Sequence, residues 1–195
     1  MSGWCRRLAV ILVLALAAPQ SSAADASEPL AALFGGPFEL VDHHGRAVTD
    51  RDFRGRHMLV YFGYTGCPDL CPVDLANISL ALDELGGLAD RVQPLFITVD
   101  PARDDPQTLR DYLGALHPAL LGLTGSERQV AEAARHYRVH RSRFRVEGYD
   151  ADEYFVDHST LTCLMGPDGA FVTLLPHATP PERIAGILRR YLAED

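Results

Sequence analysis

An α/β fold, with a central mixed sheet flanked by helices, follows from three features of this 195-residue chain. Short apolar runs at residues 58–62 and 92–99 read as central strands buried on both faces. Segments with apolar residues at helical spacing alternate with them, as α/β architectures require. With 47% hydrophobic residues and only four cysteines, the chain must rest on one ordinary hydrophobic core and not on a disulfide framework.

The elements can be justified in order. Residues 38–41 and 47–49 flank the turn Asp42-His43-His44-Gly45 and read as an N-terminal β-hairpin. The strand 58–62 is followed by a helix over 73–85, with Leu75, Ile78, Leu82 and Leu85 on one face and Gly86-Gly87 as its stop. In the strand 92–99, Pro94 belongs near the start, where no ladder donor is lost. Asp104-Asp105-Pro106 supplies an acidic cap and a first-turn proline for a helix reaching about residue 116. A further helix spans 127–137. Residues 160–165 and 170–175 form a hairpin around Gly166-Pro167-Asp168-Gly169, and an amphipathic helix at 180–192 closes the chain. That order is the order of a thioredoxin-like sandwich with an N-terminal hairpin extension. The polar segment 140–156 is expected to be a mobile loop.

The first 24 residues read as a signal peptide. Arg6-Arg7, eleven apolar residues at 8–18 and small residues up to Ala24 are its three regions. The apolar run is shorter than the ~20 residues that a bilayer span needs, although a short uncleaved anchor is the other outcome. A linker at 25–35 and a single domain at 36–195 complete the organisation. The 18 arginines, against 26 acidic residues and no lysine, give a net charge of −8 and argue against a nucleic-acid partner. Export leaves Cys67, Cys71 and Cys163, so Cys67 and Cys71 are the pair that acts together. Cys163 is expected to pack as a small apolar residue in the sheet.

Cys67-Pro68-Asp69-Leu70-Cys71-Pro72 sits at the turn between the strand 58–62 and its helix. Helix N–H groups and the helix dipole favour a thiolate there. One helical turn would bring both sulfurs to one face, where soft ligands select Cu(I) or Zn(II). Spacing alone leaves a redox disulfide, a metal site and a structural bridge open. His158, in Asp157-His158-Ser159-Thr160, is placed by the fold on a loop passing close to that turn and is the candidate third ligand. The other histidines, His43, His44, His57, His117, His136, His140 and His177, show no ligand spacing among themselves.

Four segments together carry a resemblance: Tyr61 to Pro72 around the cysteines, Phe96-Ile97-Thr98-Val99-Asp100-Pro101-Ala102-Arg103-Asp104, Val156-Asp157-His158-Ser159-Thr160, and Leu164-Met165-Gly166-Pro167-Asp168-Gly169. In this order and spacing the chain resembles the Sco/SenC family of copper proteins from about residue 36 to 192. The resemblance implies a copper chaperone binding Cu(I), and Cu(II) as well, through Cys67, Cys71 and His158. It also implies a place in the periplasm or at the outer face of the inner membrane, and help in assembling the CuA centre of cytochrome c oxidase. The implied partners are the CuA-bearing oxidase subunit and another periplasmic copper carrier, for a membrane-proximal or anchored protein.

Asp100 belongs to one of these motifs and is expected either to support the site from behind or to cap the turn before Pro101. Asp104 is expected to cap the helix after it, and Asp69 to face helix N–H groups or solvent. Two other functions stay in view: a thiol-disulfide reductase working through Cys67 and Cys71, and a copper or redox sensor. A thiol peroxidase is opposed by Val60 and Tyr64, which stand where that chemistry carries proline and threonine. A general thioredoxin-type oxidoreductase is opposed by the three residues between the cysteines and the lack of proline at 157–160.

Overall fold

The computed structural model describes residues 33–148 and 154–193. The expected signal peptide and most of the linker therefore lie outside the described residues, as does the centre of the segment 140–156. Strands β1 (Glu39–Asp42) and β2 (Ala47–Thr49) form the expected hairpin, followed by a 3-10 turn at Asp50–Phe53. Next come β3 (His57–Gly63), α1 (Leu70–Leu85), a 3-10 turn at Gly86–Arg91, β4 (Val92–Thr98) and α2 (Pro106–Gly114). The second half holds β5 (Leu121–Thr124), α3 (Glu127–His136), β6 (Arg141–Phe144), β7 (Phe155–His158), β8 (Thr162–Met165), β9 (Phe171–Leu175) and α4 (Pro181–Leu192).

Seven strands make one sheet in the order β2-β1-β5-β4-β3-β8-β9, with β6 and β7 as a separate pair. β4 runs parallel to β3 and β5, while β8 and β1 attach antiparallel outside them. The two β–α–β crossovers of the parallel core put α1 and α2 on one face, as the usual right-handed connections do. Every residue of β3 and β4 is buried, as strands covered on both sides should be. Tyr61, Gly63, Phe96 and Gly122 lie beneath α1 and α2: Phe96 meets Tyr112 of α2, and Gly122 faces Leu109 and Leu113. On the opposite face Phe62 packs on Tyr137, at the end of α3. Cys163 is buried in β8 opposite Val60, as expected of an apolar residue, and burial pushes its thiol up to about 12.

Three expectations need correction. β5 is a strand that the reading of the sequence omits, because four residues containing Gly122 carry no decisive period. Its glycine lets α2 pack close, since a Cβ there would lie 2.7 Å from Leu113 Cδ1 and 3.0 Å from Leu109 Cβ. The two ends of the expected loop 140–156 form the β6–β7 hairpin, paired from Arg141 with His158 to Phe144 with Phe155. β6 hides this in its polar composition, because three of its four residues face solvent. Finally, the cap of α2 is Asp105, whose carboxylate accepts the Thr108 N–H at 2.8 Å. Asp104 turns inward instead.

Candidate metal centre

The cysteines lie where β3 ends and α1 begins, above the sheet face that holds Tyr61 and Gly63. Helix α1 starts at Leu70, so Cys71 is already inside its first turn while Cys67 precedes it. Asp69 occupies the cap position but its side chain makes no cap bond. The Cys67 sulfur substitutes for it, accepting the Cys71 N–H at 3.5 Å. The Cys71 side chain does most to pull the Cys67 thiol down, to about 3, and His158 and the N–H groups of Cys71 and Asp69 add to this against the cost of burial. The shared proton resides on Cys71, whose thiol is pushed up first by that bond to Cys67 and then by burial. A low thiolate beside a protonated partner is what two sulfurs facing a helix N-terminus should show.

His158 is the last residue of β7 and reaches the same point from the far side. Its Nδ1–H donates to the Ser159 carbonyl at 3.0 Å, which leaves Nε2 with a free lone pair. Nε2 lies 3.6 Å from the Cys71 sulfur. The ligand atoms of Cys67, Cys71 and His158 all fall within 4.8 Å of one another, and among the described residues this is the one group of three or more such side chains that could hold a metal ion. The donor set, two sulfurs and one imidazole with the correct nitrogen bare, fits a soft or borderline ion and no hard one. Cys71 is fully buried while Cys67 and His158 retain some exposure, so the site opens on their side.

Two carboxylates hold this arrangement in place. Asp104, which the sequence reading assigned to a cap, is buried and accepts Thr65 N–H at 3.1 Å, the Thr65 hydroxyl at 2.6 Å and the Thr98 hydroxyl at 2.6 Å. It ties the loop before Cys67 to the end of β4, and burial raises its pKa despite those bonds. Asp100 has no exposed surface. It accepts from Arg103 Nε, from Arg143 at 3.1 Å and from the Tyr154 hydroxyl at 2.8 Å. Those partners lie on the β4–α2 loop, on β6 and just before β7, so one buried charge fixes the hairpin that carries His158. Arg103 also stacks on Tyr154 at 3.9 Å, and Tyr64 meets His158 edge-on at 5.8 Å. Its turn role is present too, since its carbonyl accepts the N–H groups of Arg103 and Asp104.

Sequence reasoning missed a third brace. The buried Asp74, one turn after Cys71, accepts from His177 Nδ1 at 3.0 Å and from the Ala178 N–H at 2.8 Å. Ala178 has φ 56, and the bond to Asp74 holds it there. Its sequence signal was faint: a polar residue in an otherwise apolar helix face. Apart from His177, which reaches the site through Asp74, His43 and His44 lie away from it. His43 Nδ1 accepts the Gly122 N–H at 3.2 Å, so its Nε2 carries a proton for His44 Nε2 at 3.0 Å. That pair lines a cleft of about 630 Å³ beside Val92 and Gln93, at the opposite end of the strands from the sulfurs.

Gly63 sets the floor of the site. A Cβ there would lie 2.8 Å from the Cys71 sulfur and 2.9 Å from the rings of both Tyr61 and Phe96. Gly63→Ala should therefore destabilise the fold by about 1–3 kcal/mol, the usual cost of overpacking. It should also displace Cys71 and weaken metal binding, as denaturant melts and metal titration of the same sample would show. A variant indistinguishable from the parent in both would mean that the floor can yield.

Comparison with known proteins gives a consistent picture. A family model described as SCO1/SenC matches residues 26–193. Among curated proteins the chain is 42% identical over 158 residues to Protein sco1 of Schizosaccharomyces pombe, covering 80% of this chain and 60% of that protein. It is 44% identical over 167 residues to the mitochondrial SCO2 homolog of Homo sapiens, covering 84% and 61%. The chain thus spans about three-fifths of these relatives. Among solved structures, copper-bound ScoI of Bradyrhizobium japonicum superposes with a TM-score of 0.75 at 42% identity, over 81% of this chain and 99% of the other. Copper-bound yeast Sco1 gives 0.75 at 37% identity, over 83% and 90%.

Proposed function

The chain belongs to the SCO1/SenC family, and from that premise we propose that it binds copper through Cys67, Cys71 and His158 and serves cytochrome c oxidase assembly as a copper carrier. The observation that carries the reading is the convergence of two sulfurs and a bare Nε2 within 4.8 Å. Thiolates and imidazole select Cu(I), and copper here is cargo, so the site must release what it takes. Three protein ligands leave room for one from a receiving protein, and ligand exchange would begin at the more open side, at Cys67 and His158. The copper-bound relatives support this choice of metal. We place the domain outside the cytoplasm, exported by residues 1–24, and take the CuA-bearing oxidase subunit as recipient and a second copper carrier as donor.

Anaerobic Cu(I) titration against a competing chelator tests the reading on the reduced protein lacking residues 1–24. One copper per chain is expected. His158→Ala should bind at least about a hundredfold more weakly, because a lost ligand costs more than the outer hydrogen-bond partners whose loss typically weakens metal sites by about 10–100-fold. Equal affinity of His158→Ala and parent for Cu(I) and Cu(II) would exclude the three-ligand site.

A second reading, thiol-disulfide reductase, is favoured by the asymmetry of the pair. Cys67 is the low thiol and the more exposed sulfur, as an attacking nucleophile should be, and Cys71 is the protonated partner that resolves the mixed disulfide. Reduction of an oxidised CuA-site peptide by the copper-free protein separates this from pure copper carriage.

A further inference from the structure

Two buried side-chain polar atoms among the described residues lack any hydrogen-bond partner: the hydroxyls of Tyr61 and Tyr112. A buried hydroxyl without a partner is costly, and phenylalanine would fill the same space without that cost. Tyr61 is 1% exposed, on β3, directly beneath the metal centre. The position a Gly63 Cβ would occupy is 2.8 Å from the Cys71 sulfur and 2.9 Å from Cε1 of Tyr61, the ring carbon next to the one bearing the hydroxyl. The Tyr61 ring thus lies close to the sulfur that the site buries most deeply, and its hydroxyl has no hydrogen-bond partner of its own. Tyr112 packs on Phe96 at 6.1 Å between centroids, and Phe96 on Tyr61 at 6.2 Å.

We propose that the Tyr61 hydroxyl is a hydrogen-bond donor held for the Cys71 thiolate, idle in the thiol form and engaged when that sulfur becomes a copper ligand. This rests on the copper reading above and adds a positioning residue to it. A thiolate is a far better acceptor than a thiol, so the bond forms when the proton leaves Cys71. A donor at a ligating sulfur withdraws electron density from it, which weakens the more covalent Cu(II)–thiolate bond relative to the Cu(I) one. Tyr61 therefore favours Cu(I) retention.

Tyr61→Phe and Tyr112→Phe test it side by side. Copper-free Tyr61→Phe should melt at or above the parent temperature, because it loses only an unpartnered hydroxyl. Its Cu(I) affinity should fall about tenfold, its Cu(II) affinity less, and its Cu(II)–thiolate charge-transfer band should move to longer wavelength. Tyr112→Phe should leave affinity and band in place. Unchanged Cu(I) affinity and band in Tyr61→Phe, or the same shifts in Tyr112→Phe, would overturn the inference while leaving the copper reading standing. A parent protein that binds no Cu(I) would overturn both.

Discussion

Cys71→Ala should reduce Cu(I) affinity by at least about a thousandfold, well beyond the 10–100-fold that an outer hydrogen-bond partner is worth. The sulfur it removes is fully buried, lies 3.6 Å from His158 Nε2 and is shared between the helix and the hairpin. No neighbouring side chain can substitute, because Cys71, Cys67 and His158 are the one such group of metal-ligating residues among those described. The same change should alter the surviving thiol. Cys71 is the largest influence lowering Cys67, so its loss raises the Cys67 pKa towards the ordinary range. A thiol with a depressed pKa stays reactive as pH falls below its ordinary value, down to its folded pKa. Alkylation of Cys67 at mildly acidic pH should therefore be fast in the parent and slow in Cys71→Ala. Titration against a chelator and iodoacetamide labelling between about pH 5 and pH 7 read the two effects separately. Retention of tight Cu(I) binding would dismiss Cys71 as a ligand.

Asp100→Ala should lower stability by roughly 2–3 kcal/mol and loosen the β6–β7 hairpin. It removes a carboxylate without exposed surface that holds Arg103, Arg143 and Tyr154 together. The cost stays below that of a fully buried pair because both guanidinium groups are about two-fifths exposed and can turn to water. Since His158 ends the hairpin, the variant should also bind Cu(I) about tenfold more weakly while both thiols remain in place. Hydrogen exchange of residues 141–144 and 155–158 measures the loosening directly. Unchanged protection there, with stability lost elsewhere, would show that Asp100 serves the β4–α2 turn alone.

How far the sequence reaches can be judged from particular elements. The strands β3 and β4 were legible because both faces are covered, which writes an unbroken apolar run. The helices α1, α3 and α4 were legible from their spacing and stops. Cys67 and Cys71 were legible as a pair from local spacing. His158 was found because the fold order put its loop near them, and the family resemblance then singled it out. β5 was missed because Leu121-Gly122-Leu123-Thr124 fits either period, and only its seat between β1 and β4 decides. The β6–β7 hairpin was missed because Arg141-Ser142-Arg143-Phe144 packs largely against charges, and ion pairs leave no hydrophobic period.

The sequence by itself determined the α/β order, the thiol pair at a strand-to-helix turn and the histidine candidate. All of these rest on local signals: apolar runs, spacing and punctuation by glycine and proline. Only the tertiary structure decided that Asp105 caps the helix while Asp104 turns inward, that Asp100 clasps the hairpin, and that His158 presents Nε2. Only it placed an unpartnered Tyr61 hydroxyl beneath Cys71. The roles of Asp104 and Asp100 depend on polar groups that meet across 39 to 54 residues of chain. A carboxylate's role is set by the donors that reach it once it is buried, and identical aspartates four or five positions apart read alike until the fold supplies those donors.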